Sequence, residues 1–161
     1  GRFEYISGFK RNSIALLDNR GSISKKLFFV SKGVSGPVTH IIPFKGKFLF
    51  AGKFNFYDDE VVNGITLIDE KGERDPSFNF SSVSFSTEAI SDVKVLKNGQ
   101  ILLAGIFNPA NANNSHKLLK LNDDGSVEES FYIGASFDNY VYSIDEQSDG
   151  KIIVGGDFKK V

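Results

Sequence analysis

The chain has 161 residues and a formal net charge of −1, from 19 Lys and Arg against 20 Asp and Glu. This balance gives no electrostatic attraction to nucleic acid or to an anionic membrane. The chain has no Cys, which excludes disulfides, thiol catalysis and Cys-based zinc sites. The apolar residues are mainly Phe, Ile, Leu and Val, a composition that favours β-sheet, and no apolar run is long enough to span a bilayer.

The chain opens with the pattern Gly-x-Phe, and three markers recur along it with one period. The glycine of this pattern recurs at intervals of 51, 53 and 51 residues, at Gly1, Gly52, Gly105 and Gly156. A polar turn that ends in glycine recurs at intervals of 51 and 53, at Gly21, Gly72 and Gly125. A hairpin glycine recurs at intervals of 53 and 51, at Gly46, Gly99 and Gly150. Repeats of this length point to propellers or solenoids.

The elements of the first repeat set the order for the others. A short apolar strand at residues 13–17 leads into the polar turn, and an inner strand at residues 37–42 leads to the hairpin at Gly46. An apolar run and the next Gly-x-Phe follow the hairpin. We predict repeats at about 1–51, 52–104 and 105–155, the start of a fourth at 156–161, and no helix.

Four short antiparallel strands in about 50 residues are typical of a β-propeller blade. The predicted fold is therefore all-β, with about three four-stranded repeats of 51–53 residues in one domain, 1–161. Propellers usually have four to eight blades, so we expect either part of a larger propeller or copies that associate to complete one. Both chain ends lie at the same phase of the repeat, which suits an excised segment or an exchange of terminal strands between copies.

At these markers the sequence resembles the delta-60 repeat family of bacterial β-propellers. The match in the last repeat is residues 148–158 (SDGKIIVGGDF) and residues 120–131 (KLNDDGSVEESF). Shorter matches are residues 11–18 (RNSIALLD) and residues 75–78 (DPSF), whereas residues 21–27 (GSISKKL) lack the acidic and phenylalanine positions of the family.

This resemblance implies a secreted or surface-attached bacterial protein with no known enzyme activity and no catalytic residues to transfer. The function that we expect is a non-catalytic binding or structural scaffold module, without a cofactor. An alternative is a propeller enzyme, a lyase or hydrolase, with its site in the central channel. Asp92 and Asp145, at the inner strands, are the carboxylates that such a site would use.

Metal and histidine chemistry find little support in the sequence. His40 and His116 have no partner motif, and we expect a packed side chain at His40 and a surface one at His116. The acidic run at residues 58–60 lacks the spacing of known calcium loops, and we interpret it as a solvated loop. We predict no metal site.

The loops after each Gly-x-Phe are the best place for a binding function. They are residues 4–12, 55–63 and 108–115, and they differ in length and content while the strands keep their pattern. The candidate ligand-binding residues there are Tyr5, Phe9, Phe56 and Tyr57. They would stack on a carbohydrate or anchor a protein partner at the rim, or else only cap the ends of the blades. The sequence leaves the ligand, the number of blades and the oligomeric state open.

Overall fold

The computed structural model describes residues 3–23, 33–80, 83–85, 90–109, 116–131 and 137–161. In these ranges the chain is all-β, and its strands pair in antiparallel fashion. The strands are β1 (Tyr5–Ile6), β2 (Phe9–Lys10), β3 (Val38–Phe44), β4 (Lys47–Gly52), β5 (Phe56–Tyr57), β6 (Glu60–Val61), β7 (Ile65–Ile68), β8 (Val83–Phe85), β9 (Asp92–Val95), β10 (Ile101–Pro109), β11 (His116–Leu121), β12 (Val141–Glu146) and β13 (Ile152–Gly156). Among the described residues, no helix has the length and apolar character needed to cross a bilayer.

The chain divides into two compact units, Gly1–Pro76 and Ser77–Val161. Sheet 1, in the first unit, has the order β3-β4-β7. Two separate hairpins accompany it: β1 pairs with β2, and β5 pairs with β6. In the register of sheet 1, Leu49 lies opposite Leu67 and Phe50 lies opposite Thr66.

The second unit contains two sheets built on the same plan. Sheet 2 has β10 between β9 and β11, and the far end of β10 also pairs with β8. Sheet 3 consists of β12 and β13. In sheet 2, Leu102 lies opposite Lys120, and Leu103 lies opposite Leu119. This is the register of sheet 1 displaced along the sequence by 53 residues.

The predicted hairpins between the first two strands of each sheet are confirmed. Gly46, Gly99 and Gly150 have φ of 72°, 85° and 84°, the left-handed region that glycine enters without steric cost. The two later turns share their hydrogen bonds: the N–H of Leu96 donates to the Gln100 carbonyl, and the N–H of Gln147 donates to the Lys151 carbonyl, each at 2.8 Å. All three turns place a left-handed residue at this position, which explains why the hairpin glycine recurs with the repeat.

The predicted polar turns are also confirmed, and a side chain organises each of the first two. Asp18 Oδ1 accepts hydrogen bonds from the N–H groups of Arg20 and Ser22, both at 2.9 Å. Asp69 Oδ1 accepts from those of Lys71 and Glu73, both at 2.8 Å. A short carboxylate that bonds its own backbone in this way stabilises a turn.

In the last repeat, the described part of the fourth strand is shorter than predicted. The third strands of the three repeats lead into the isolated bridges Leu17↔Ile23, Ile68↔Arg74 and Leu121↔Val127, and residues 24–32, which follow the first of these bridges, lie outside the described ranges. The sequence predicts an outer strand at residues 127–133. The structure has the bridge at Val127 and then a turn at residues 128–131, in which Glu128 Oε1 accepts the N–H and hydroxyl of Ser130. The polar turn chemistry at Glu128 and Ser130 ends the ladder, and residues 132–136 lie outside the described ranges.

Each unit has its own apolar core. The core of the first unit is formed by Ile14, Val34, Val38, Phe50, Phe54, Tyr57, Val62 and Ile68. In the second unit, sheets 2 and 3 pack through Leu96, Leu102, Ala104, Leu118, Phe137, Val141 and Ile144. Polar bonds join the same two sheets, because the Ser91 hydroxyl donates to the Val141 carbonyl at 2.7 Å.

In sheets 1 and 3, the glycine two positions before the repeated phenylalanine is required by close backbone approach. A Cβ on Gly52 would lie 2.3 Å from the Pro37 carbonyl oxygen, and one on Gly156 would lie 2.1 Å from that of Tyr140. Both glycines lie where the register shifts between the first two strands of their sheet. In sheets 1 and 3 the close approach lies between the first two strands of the same sheet.

Candidate functional site

The loop at residues 4–12 forms the hairpin of β1 and β2, which we call rim hairpin 1. Its turn contains Ser7 and Gly8 with φ of 48° and 80°, the positive values of a tight two-residue hairpin. The base is closed by two backbone bonds, from Arg11 N–H to the Glu4 carbonyl and from Ser13 N–H to the Phe3 carbonyl. Tyr5 and Phe9 are exposed on this hairpin, so their rings are available to a partner.

The loop at residues 55–63 forms the equivalent hairpin of β5 and β6, which we call rim hairpin 2. Asp58 and Asp59 occupy its turn with φ of 50° and 71°. Phe56 lies opposite Val61 in the register, and both side chains are exposed. Rim hairpin 2 therefore presents an apolar cross-strand pair to solvent.

Segment 33–35 holds rim hairpin 2 in place. The Ser35 hydroxyl oxygen accepts the N–H groups of Asn55 and Phe56 at 3.0 and 3.1 Å. Asp58 Oδ1 accepts the N–H of Gly33 at 2.9 Å. These bonds attach the hairpin at both its base and its turn, which keeps Phe56 and Val61 on a fixed scaffold.

Tyr57 is placed differently from the other three candidates. It is only 1 % exposed, belongs to the core of the first unit, and donates its hydroxyl to the Gly72 carbonyl at 2.5 Å. A ring in this position cannot contact a ligand at the rim. The Tyr57 ring instead packs in the core of the first unit, which agrees with the alternative that such aromatics only cap the ends of the blades.

Two contributors to the rim were missed by sequence reasoning. Val61 pairs with Phe56, and the Arg11 guanidinium carbon lies 5.6 Å from the centre of the Phe9 ring. Stacking of this kind is a cation–π contact that fixes the orientation of the ring. For rim hairpin 1, the sequence signal was the pair Ser7-Gly8, because such a pair predicts a two-residue hairpin rather than a loop.

A cleft of about 530 Å³ lies between the base of rim hairpin 1 and the segment that holds rim hairpin 2. It is lined by Phe3, Glu4, Asn12, Ser13, Val34, Ser35 and Gly36. Its volume is in the range of small-molecule sites, and its lining combines a carboxylate, an amide and hydroxyls with two apolar side chains. The cleft is open to solvent, and the Ser35 hydroxyl in its lining already accepts the N–H groups of Asn55 and Phe56.

The third predicted loop, residues 108–115, is described only at its start. Asn108 and Pro109 continue β10 and pair with Ser84 and Val83 of β8. Residues 110–115 lie outside the described ranges. The comparison of rim hairpins therefore concerns the first two repeats.

The acidic run at residues 58–60 is engaged in protein contacts. Asp58 bonds Gly33 as described above, and Glu60 Oε2 pairs with the Arg74 guanidinium at 2.9 Å. Within the described part of the chain, no three His, Asp or Glu side chains come together as a group that could hold a metal ion. His40 is half-buried beside the Thr39 hydroxyl, at 2.9 Å, and His116 is half-buried in β11 opposite Phe107.

The two inner-strand carboxylates have different environments, and both join sheet 2 to sheet 3. Asp92 Oδ2 accepts the N–H of Ile144 at 2.8 Å. Asp145 Oδ1 pairs with the Lys94 ammonium at 2.5 Å and accepts its neighbour's N–H, and these two bonds lower the pKa of Asp145. A carboxyl with a lowered pKa stays ionised, which is the opposite of what a general acid needs.

Comparison with known proteins concerns the second unit. A family model described as "Domain of unknown function (DUF5122) beta-propeller" matches residues 96–131 and 147–161. The matched residues support a β-propeller repeat family. They include β10 and β11 of sheet 2 and the hairpin and second strand of sheet 3. Neither the curated proteins nor the solved structures gave a match.

Proposed function

We propose that this chain is a non-catalytic binding module of a bacterial secreted or surface protein, built from propeller blades of the delta-60 kind. The repeat pattern, the β-propeller match in the second unit and the shared register of sheets 1 and 2 support this proposal. The location outside the cell and the bacterial origin rest on the family resemblance.

The observation that carries the binding function is the pair of rim hairpins at equivalent positions of two repeats. Tyr5 and Phe56 are 51 residues apart, the repeat length, and both are exposed aromatics on a short hairpin with a positive-φ turn. Exposed aromatics held on a rigid scaffold are typical anchors of protein interfaces.

The partner that fits rim hairpin 2 best is another protein. Phe56 and Val61 form an exposed apolar cross-strand pair, and such a pair would pack against an apolar surface of a partner. Carbohydrate is the second candidate, and the cleft favours it, because Glu4, Asn12 and Ser35 supply the polar groups that bind hydroxyls.

An enzyme with a site at the inner strands is the less supported alternative. It would need one carboxylate to hold a proton, whereas Asp145 has a lowered pKa beside Lys94 and Asp92 bonds the backbone of Ile144. Both carboxylates thus serve the contact between sheets 2 and 3.

The proposal is tested with arrays of bacterial surface proteins and of glycans, probed with the labelled chain. We expect a protein ligand whose binding is lost in the double variant Phe56→Ala/Val61→Ala and kept in Ile41→Ala, a control that removes an equally exposed side chain of the same unit. A glycan ligand lost in Glu4→Ala would establish the carbohydrate candidate instead. The absence of a ligand on both arrays would contradict a binding function.

A further inference from the structure

The cleft beside rim hairpin 1 contains a serine whose backbone conformation is unfavourable. Ser13 has a φ of 64°, the left-handed region in which a side chain crowds the backbone. Its equivalent one repeat later, 51 residues along the chain, is Gly64, which has a φ of 77°. Glycine adopts this conformation without the steric cost that a serine meets. The first repeat therefore has a strained residue at a position where the next repeat has an unstrained one.

Ser13 is buried, and its hydroxyl has no hydrogen-bond partner among the described residues. The residue is 9 % exposed, and its N–H donates to the Phe3 carbonyl at 2.8 Å, but no bond reaches the hydroxyl. The other hydroxyl of the cleft, on Ser35, already accepts two N–H groups. Buried hydroxyls are usually paired, so an open hydroxyl in the lining of a cleft indicates a contact with a ligand.

Packing within the first unit fixes both walls of the cleft. Ile14, next to Ser13 on one wall, and Val34 on the other wall belong to the core of this unit. The backbone of Gly36 lies close to a neighbouring strand end, because a Cβ on it would be 2.1 Å from the Lys53 carbonyl oxygen. The surrounding packing therefore holds Ser13 in its strained conformation and places its hydroxyl on a rigid scaffold.

We propose that the cleft binds a neutral sugar ring and that the Ser13 hydroxyl bonds one of its hydroxyl groups. A serine hydroxyl both donates and accepts, as sugar hydroxyls do, and Glu4 supplies a further acceptor. Phe3 and Val34 supply apolar surface for the C–H groups of the ring. The Glu4 carboxylate repels acidic sugars, which selects against them. The inference rests on the carbohydrate candidate of the proposed function and is independent of the protein partner proposed for rim hairpin 2.

A purely structural role for Ser13 accounts less well for these observations. A serine that served only the fold would bond its hydroxyl to the protein, and glycine would be the more stable residue at this φ, as at Gly64. Backbone strain that the surrounding structure maintains is typical of residues with a functional task. The task that glycine cannot perform at this position is to offer a hydroxyl to the cleft.

Titration of the isotope-labelled chain, followed by nuclear magnetic resonance, tests whether the cleft binds sugars. The probes are the methyl glycosides of glucose, galactose and mannose, together with N-acetylglucosamine, and glucuronate is the acidic sugar. We expect saturable shifts of the N–H signals of Ser13 and Gly36 with a neutral sugar and none with glucuronate. The absence of saturable shifts for every neutral sugar would overturn the proposal, whatever the protein array shows. Equal binding of glucuronate would overturn the class of sugar that we assign.

Two serine-to-glycine variants separate binding from strain. Ser13→Gly should raise the melting temperature by about 2–4 °C, because the strain is relieved, and weaken sugar binding about tenfold, because the hydroxyl is lost. The matched control is Ser7→Gly, since Ser7 also has a positive φ, 48°, but is exposed in the turn of rim hairpin 1 and does not line the cleft.

Ser7→Gly should keep the affinity for the sugar, and so should Phe56→Ala/Val61→Ala, which distinguishes the cleft from rim hairpin 2. An unchanged affinity in Ser13→Gly would overturn the role of Ser13. Lost binding together with a lower melting temperature would overturn it as well, because Ser13 would then be a residue that the fold itself requires.

Discussion

The second strands of sheets 2 and 3 have nearly the same sequence pattern but different surroundings. Residues 101–103 of β10 are fully buried between β9 and β11, whereas Ile153 in the middle of β13 is half exposed. Both strands follow the same hairpin and pair with their first strand in the same register. The pattern thus determines that a strand forms and where it pairs, while burial depends on whether a third strand covers it.

The largest expected difference between the two sheets is at the repeated phenylalanine. Phe107 is completely buried, whereas Phe158 is half-buried and packs edge-on against Phe137, with ring centres 4.7 Å apart. Removal of a buried ring leaves a cavity, so we expect Phe107→Ala to lower the free energy of unfolding by about 3–5 kcal/mol. Phe158→Ala should lower the free energy of unfolding by clearly less, because this ring is only half-buried. Urea denaturation measures the free energy of unfolding of both variants. Equal decreases would contradict the conclusion that Phe107 is more deeply buried than Phe158.

The paired glycines of β13 give a smaller and more local contrast. A Cβ on Gly156 would lie 2.1 Å from the Tyr140 carbonyl oxygen, while one on Gly155 would meet no atom within 4 Å. We expect Gly156→Ala to lower the free energy of unfolding by about 1–3 kcal/mol, because the backbone of sheet 3 must shift. Gly155→Ala is the matched control and should change it by less than about 0.5 kcal/mol. Similar melting temperatures for the two variants would show that the backbones at Gly156 and Tyr140 can separate without a loss of stability.

The smallest expected effect is at the ion pair that joins the two sheets. The hydrogen bond from Lys94 lowers the pKa of Asp145 below its ordinary value of 3.8. The folded state therefore holds this proton less tightly than the unfolded state, so the pair stabilises the fold above about pH 4 and loses its effect as the pH falls. In Lys94→Gln, the pKa of Asp145, followed by carboxyl NMR, should rise towards 3.8. An unchanged titration would mean that the pair does not form in solution.

Much of the fold could be predicted from the sequence because it depends on local chemistry that repeats. The hairpins at Gly46 and Gly150 need a left-handed residue, and the turn at Asp69 needs a short acceptor, so both features are visible in the spacing of residues. The fourth strand of the last repeat was predicted too long. The apolar pattern near residue 127 does not show that Glu128 will bond Ser130 instead of a neighbouring strand.

The candidate site was harder to predict because it depends on contacts distant in sequence. Tyr5, Phe56 and Tyr57 look alike in the sequence, yet Tyr57 is buried because rim hairpin 2 bonds segment 33–35 and turns one side of β5 into the core. The alternation of a two-residue strand is too short to show which face is buried. For the same reason Val61, opposite Phe56, was not recognised as part of the rim.

The central claim is that a third strand determines whether the second strand of a repeat is buried. Amide hydrogen exchange of Leu103 and Val154 tests this claim most directly, because the two residues are equivalent and only Leu103 has a described third strand beside it. The N–H of Leu103 faces β11 and should be protected at every protein concentration. The N–H of Val154 faces away from β12, where no described residue pairs with it, and it should exchange much faster than that of Leu103. Protection of Val154 equal to that of Leu103 would contradict the account.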